Sequence, residues 1–270
     1  MFGTRIPLFR LLGFQISIDP SWFILVVLIT WSLAEGYFAT RYPTLESAAT
    51  TRWLMGIGGA FGLFASVVLH ELGHSIAARA HGMQMRGITL FIFGGVAAMT
   101  EEPPNARVEL IVAVAGPAVS VLIGLGCLVV AWERDTLGLP LPLHGVIAYL
   151  ALINLLLVGF NMIPAFPLDG GRVLRAALWA LREDLRWATQ VTATIGGGFG
   201  VFLILMGILL AIGTGNLIGG IWWVILGLFL RHAAQMSYQQ VLMRRAFEGE
   251  SVKRFMTADP ITLTPDLTIR

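Results

Sequence analysis

Long apolar stretches with very few charges are the feature that most constrains how this chain can fold. A helix needs about 20 mostly apolar residues to cross the ~30 Å hydrocarbon core of a bilayer. Six stretches meet this requirement, at about residues 20–38, 53–80, 108–132, 144–164, 195–212 and 217–235. The last two belong to one long apolar run, which the residues from Gly213 to Asn216 interrupt.

The composition favours transmembrane helices over the buried helices of a soluble protein. Charged residues make up 13% of the 270 residues and hydrophobic residues 56%, whereas soluble domains carry about 25% charged residues. The single cysteine, Cys127, excludes an intrachain disulfide and a cysteine-rich zinc site. No basic block with interleaved aromatic residues indicates binding to nucleic acid. We therefore predict an α-helical polytopic membrane protein with six spans.

The arginines and lysine predict the orientation of the six helices. With both termini inside, 15 of the 18 basic residues lie in inside segments, and only Arg41, Arg52 and Arg134 lie outside. Cytoplasmic loops carry an excess of basic residues. We therefore expect both termini in the cytoplasm. We also expect an integral protein of a prokaryotic inner membrane.

The segment from residue 87 to residue 100 follows the second span and does not have the pattern of a helix. It is apolar, rich in β-branched and aromatic residues, and contains the pair Gly94-Gly95. It is too short to cross the membrane, so we predict a short membrane-associated β-hairpin or loop. A hairpin on the cytoplasmic surface is the alternative.

The second span contains His70, Glu71 and His74 in the pattern HExxH. Residues four apart on a helix lie one turn above each other, so the two histidines can bind one metal ion. Glu71 can then accept a proton from water at that ion. Ionisable residues inside an apolar span are functional candidates because they are costly there.

A third metal ligand is expected from another span, because two histidines leave a zinc site incomplete. Asp169 follows the fourth span and is the only acidic residue between Asp135 and Glu183. Its carboxylate can reach a metal, or it can cap the following helix with Arg172 and Arg175 as charge partners. The presence of HExxH favours the ligand.

Two motifs together resemble the site-2 protease family of intramembrane zinc metalloproteases. HELGH stands in the second span, and NMIPAFPLDGGR stands at the end of the fourth. The six-span order, the expected turn at Ala115-Gly116-Pro117 and the stretch LFIFGG extend the resemblance over about residues 10–240.

The resemblance implies the role of each site residue. His70, His74 and Asp169 match the zinc ligands, Glu71 the general base, and Asn161 an asparagine that assists the substrate carbonyl. One departure is Ser120, where many relatives have asparagine. This departure puts a substrate-positioning role at that position in doubt.

The implied activity is that of a zinc metalloendopeptidase in regulated intramembrane proteolysis, with Zn²⁺ as cofactor. A water molecule activated by Glu71 at the zinc attacks the scissile carbonyl of a transmembrane protein substrate in the bilayer. A metal transporter is one alternative, which would need further ligands on other spans. A scaffold that binds membrane helices without cleaving them is another. The formation of a homodimer is left open.

The residues after Glu250 differ in composition from the six-span domain of residues 1–240. Residues 250–270 resemble the opening of a CBS domain, and we expect the sequence to stop within that domain. Adenine nucleotides would bind only if the full-length protein carried a complete CBS pair.

Overall fold

The computed structural model describes residues 5–45, 48–91, 94–99 and 102–247. The strands are β1 (Ile6–Leu11), β2 (Phe14–Ile18), β3 (Met85–Phe91) and β4 (Gly94–Met99). The helices are α1 (Ser21–Arg41, with π-helical turns at Ser32–Tyr37), α2 (Ala49–Ala80), α3 (Ala106–Trp132), α4 (Leu141–Asn161), α5 (Asp169–Arg182), α6 (Leu185–Thr214) and α7 (Leu217–Phe247). The predicted CBS segment, residues 250–270, lies outside the described residues.

Six of these helices, all except α5, are long and apolar enough to cross a membrane, as predicted. Some of their ends differ from the predicted ends, and polar side chains cap the starts of α3 and α6. The Asp184 side chain accepts a hydrogen bond of 3.1 Å from the Trp187 amide, so α6 begins well before residue 195. The helix α4 ends at Asn161 instead of residue 164.

Close approach between helices depends on small residues. A Cβ atom on Gly200 of α6 would lie 2.7 Å from the carbonyl oxygen of Gly227 on α7, so the two backbones touch there. Small residues at helix interfaces allow the backbones to pack closely in membranes. This packing matters because the hydrophobic effect does not drive helices together in lipid. The pair α6 and α7 therefore forms a tight helical hairpin.

The turn expected at Ala115-Gly116-Pro117 is wrong, because these residues lie inside α3. Pro117 has no amide hydrogen, so it leaves the carbonyl of Ala113 without its usual intrahelical donor. Spanning helices tolerate such a proline because neighbouring groups satisfy the freed backbone.

A four-stranded sheet packs beside α2, with the strand order β1-β2-β3-β4. The predicted hairpin after the second span is confirmed as β3 and β4, which pair antiparallel. The strands β1 and β2 were not predicted, and β2 pairs in parallel with β3 so that Ile16 lies opposite Ile88. Ile16 and Ile88 pack with Leu72 of α2, which fixes the sheet against the helix that carries HExxH.

Candidate metal centre

His70 and His74 lie one turn apart on α2, and both side chains are buried, each with 3% of its surface exposed. Their Nε2 atoms are 3.2 Å apart and turn toward the same point. The spacing of HExxH therefore brings the two candidate ligands together.

The other nitrogen of each imidazole contacts α3. Nδ1 of His74 lies 2.6 Å from the carbonyl oxygen of Val112, and Nδ1 of His70 lies 2.9 Å from the Ser120 hydroxyl. A carbonyl oxygen can only accept, so His74 carries its proton on Nδ1. In the neutral ring, Nε2 of His74 then presents a lone pair to the site.

Asp169 completes the group as the first residue of α5. Its Oδ2 lies 3.1 Å from His70 Nε2, and its Oδ1 lies 3.2 Å from His74 Nε2. No side-chain hydrogen bond caps α5, so the alternative role of Asp169 as a helix cap is not observed.

The glycines after Asp169 allow the chain to bring the carboxylate to this place. A Cβ atom on Gly171 would lie 2.5 Å from the backbone nitrogen of Phe166, so the start of α5 lies directly on the connection from α4. This connection folds back from Asn161 and places Asp169 opposite α2.

The three side chains fit a zinc ion. The two Nε2 atoms are 3.2 Å apart, and each lies 3.1–3.2 Å from a different oxygen of the Asp169 carboxylate. Ligands of tetrahedral zinc at bond lengths of 2.0–2.1 Å are separated by about 3.3 Å. Gly116 of α3 keeps the space beside them open, because a Cβ there would lie against His74 Nε2 and 2.7 Å from His70 Nε2. Two histidines and one carboxylate are a set that zinc enzymes use, with the fourth position left open.

A cavity of about 330 Å³ opens from this group, and His70, Glu71, Asn161 and Asp169 all line it. Apolar side chains of α7 form the opposite wall, and Phe229 of that helix lies 6.2 Å from the ring of Phe91. The structure thus brings Glu71 and Asn161 to the same space as the candidate ligands.

A larger apolar cavity of about 710 Å³ lies between α1 and α7, and none of the predicted site residues lines it. The lining is almost entirely aliphatic and aromatic side chains. The chemistry therefore belongs to the smaller cavity, which holds the ionisable groups.

An ion pair between Glu109 of α3 and Arg175 of α5 is a feature that the sequence analysis missed. Glu109 is fully buried and Arg175 is 7% exposed. Arg175 therefore pairs with α3 and is not a charge partner of Asp169 at the helix start. The signal in the sequence was Glu109 itself, an acidic residue at the edge of an otherwise charge-free span.

Ser120 lies one turn beyond Gly116 on α3 and has no exposed surface. It is not among the residues that line the cavity. A role in positioning substrate, already in doubt from the sequence, does not fit this location.

Comparison with known proteins agrees with the geometry. The family model described as peptidase family M50 matches residues 58–134 and 141–207, more than half of the chain. A Synechocystis relative named "Putative zinc metalloprotease sll0528" is 36% identical over 99% of this chain and 69% of its own length. Zinc metalloprotease MJ0392 of Methanocaldococcus jannaschii is 38% identical to this chain. The match covers 77% of this chain and 57% of that relative.

The solved structure of a site-2 protease from Methanocaldococcus jannaschii has the same fold, with a TM-score of 0.60 and 31% identity. The match covers 87% of this chain and 95% of that one. Six spans and a His-His-Asp group thus define an integral-membrane zinc metalloprotease. The chain belongs to peptidase family M50, the site-2 protease family.

Proposed function

We propose that this protein hydrolyses peptide bonds of membrane-protein substrates at a zinc ion held by His70, His74 and Asp169. The observation that carries the proposal is the convergence of one ligand atom from each of the three residues within 4.8 Å of one another, beside a cavity that Glu71 also lines. The proposed substrate class follows from membership of the family. The relatives are longer than the part that matches this chain.

Glu71 acts as the general base in this proposal. When bound, zinc supplies Lewis acidity that polarises the scissile carbonyl and lowers the pKa of a water molecule. Glu71 follows His70 in the chain and lines the cavity, so its carboxylate accepts a proton from that water and later delivers it to the leaving nitrogen.

Asn161 is proposed to bind the carbonyl of the substrate. It is the last residue of α4, it is half-buried, and it lines the cavity across from α2. A side-chain amide can donate hydrogen bonds to a carbonyl oxygen and to the negative charge that develops on it during attack.

The edge strand β4 is proposed to hold the substrate in an extended form. A helical substrate keeps its carbonyls in intrahelical hydrogen bonds, so it must unwind before attack. The strand β4 ends the sheet order, and a Cβ on its Gly95 would lie 2.8 Å from the side chain of Glu71. A substrate strand that adds to this edge therefore passes beside the proposed base.

Metal transport is the competing function from another class. A transport path needs further acidic or histidine ligands along the membrane. Among the residues that the structure describes, His70, His74 and Asp169 make the one group able to hold a metal. This favours a single resident ion over a path of successive sites.

Reconstituted protein tests the proposal. Wild-type protein in lipid vesicles should cleave a single-span model substrate, lose that activity with a zinc chelator, and regain it when zinc is restored. Mass spectrometry should place the cleaved bond within or next to the span. Zinc movement across the vesicle membrane without cleavage of any substrate would favour the transporter.

A further inference from the structure

One stripe of α3 faces both histidines, and its residues are spaced four apart. The carbonyl oxygen of Val112 contacts Nδ1 of His74, the open side of Gly116 faces both Nε2 atoms, and the hydroxyl of Ser120 contacts Nδ1 of His70. Residues at this spacing lie on one helix face. A single helix therefore orients both candidate ligands.

The two contacts differ in chemistry. The Val112 carbonyl belongs to the backbone, so every side chain at position 112 supplies it. The contact to His70 depends on the Ser120 side chain, because a hydroxyl can accept a hydrogen bond and alanine cannot. His70 is 3% exposed and Ser120 is fully buried, so water has little access to replace that partner.

We propose that Ser120 is a positioning residue that accepts the Nδ1 hydrogen of His70 and so directs Nε2 toward the metal. The inference rests on the zinc site proposed above. An imidazole that binds metal through Nε2 carries its proton on Nδ1, and a partner for that proton fixes the tautomer and the ring orientation. Ser120 acts through His70 alone, because it does not line the cavity.

Zinc affinity, measured by competition with a chelator, tests the proposal without reference to activity. Ser120→Ala should weaken zinc binding by about 10–100-fold, the range for loss of such a partner. Ser120→Asn places an oxygen acceptor at the same position and should bind zinc more tightly than Ser120→Ala. Cobalt-substituted Ser120→Ala should also show an altered visible spectrum, because a loosened His70 changes the ligand geometry.

Ser66 provides the matched control. It is also a buried serine, one turn before His70 on α2, and its hydroxyl bonds to Gly62 and Asn154 instead of to a candidate ligand. Ser66→Ala should leave the zinc affinity and the cobalt spectrum unchanged. An equal loss in both variants would indicate a general packing effect and would overturn the specific role of Ser120.

The outcomes separate this inference from the proposed zinc site. Wild-type zinc affinity in Ser120→Ala, together with loss of zinc in His70→Ala, would overturn the role of Ser120 alone. Retention of zinc in His70→Ala would instead contradict the metal site. If Ser120→Ala does not fold, nitrogen NMR of zinc-loaded wild-type protein decides. We expect the proton of His70 on Nδ1, and metal bound to Nδ1 would contradict the proposal.

Discussion

Each histidine of the candidate metal centre has a partner on α3 for the nitrogen that faces away from the site. The partners are the Val112 carbonyl for His74 and the Ser120 hydroxyl for His70. Buried polar groups are costly when they lack hydrogen bonds. These contacts reduce that cost and leave both Nε2 atoms directed at Asp169.

Gly116 offers a test at the scale of one atom. We expect Gly116→Ala to lose zinc, because the added methyl group would occupy the space beside both Nε2 atoms. The change should otherwise suit a helix, since alanine has a higher helix propensity than glycine by about 1 kcal/mol. Zinc per chain, measured by elemental analysis of purified protein, checks this expectation.

Gly126→Ala on the same helix is the control for this prediction. No atom lies within 4 Å of a Cβ built at Gly126, so this variant should fold and keep its zinc. Full zinc occupancy in Gly116→Ala would contradict the close approach of α3 to the two histidines.

The sequence indicated which candidate ligands come together, but not the contacts around them. HExxH implies a shared site because helical spacing alone brings His70 and His74 together. Asp169 needed the presence of HExxH to be favoured as a ligand, since its position depends on how the chain folds back after Asn161. The contact of Ser120 with His70 joins residues 50 positions apart, and no local pattern encodes such a contact.

At the scale of elements, the position of α5 determines where Asp169 lies. The buried ion pair between Glu109 and Arg175 connects α5 to α3, and the guanidinium of Arg175 also lies 5.1 Å from the ring centre of Phe166. The position of the third candidate ligand is therefore fixed by contacts along α5.

Glu109→Gln should destabilise the protein strongly. The variant leaves the Arg175 charge buried without its partner, and loss of one member of a buried pair costs about 3–5 kcal/mol. Denaturant unfolding in detergent, followed by tryptophan fluorescence, measures the free energy of unfolding. Zinc affinity should fall as well, because α5 carries Asp169.

Two further variants make this prediction specific. Replacement of both partners, as Glu109→Leu with Arg175→Met, should recover much of the lost free energy because no unpaired charge remains. As a control, Arg182→Met at the exposed end of α5 should lower the free energy of unfolding by less than about 1 kcal/mol. A Glu109→Gln variant as stable as wild type would show that the pair does not hold α5 in place.

The elements followed from the sequence where the pattern was local. Long apolar runs predicted the spanning helices, and the Gly94-Gly95 pair predicted the hairpin of β3 and β4. The strand β2 was missed because its parallel partner β3 is about 70 residues away in the chain, so its pairing is not a local property. A turn was expected at Ala115-Gly116-Pro117 from the resemblance, yet these residues lie within α3.

At the scale of the whole molecule, the distribution of basic residues predicts the orientation. Reporter fusions after Glu46 and Thr214 should lie outside the cell, and fusions after Met85 and Glu183 should lie in the cytoplasm. This follows because 15 of 18 basic residues lie in the segments assigned to the inside. Reporters found on the opposite sides would contradict the prediction that both termini are cytoplasmic.

Cleavage of a membrane-embedded substrate by wild type and Glu71→Gln, compared at equal zinc occupancy, tests the central claim most directly. Glutamine keeps the shape of the side chain and removes its basicity, so zinc content and folding should stay near normal. Cleavage should fall by at least about 100-fold, the low end of general acid–base contributions. Equal cleavage by the two proteins at equal zinc occupancy would contradict Glu71 as the base.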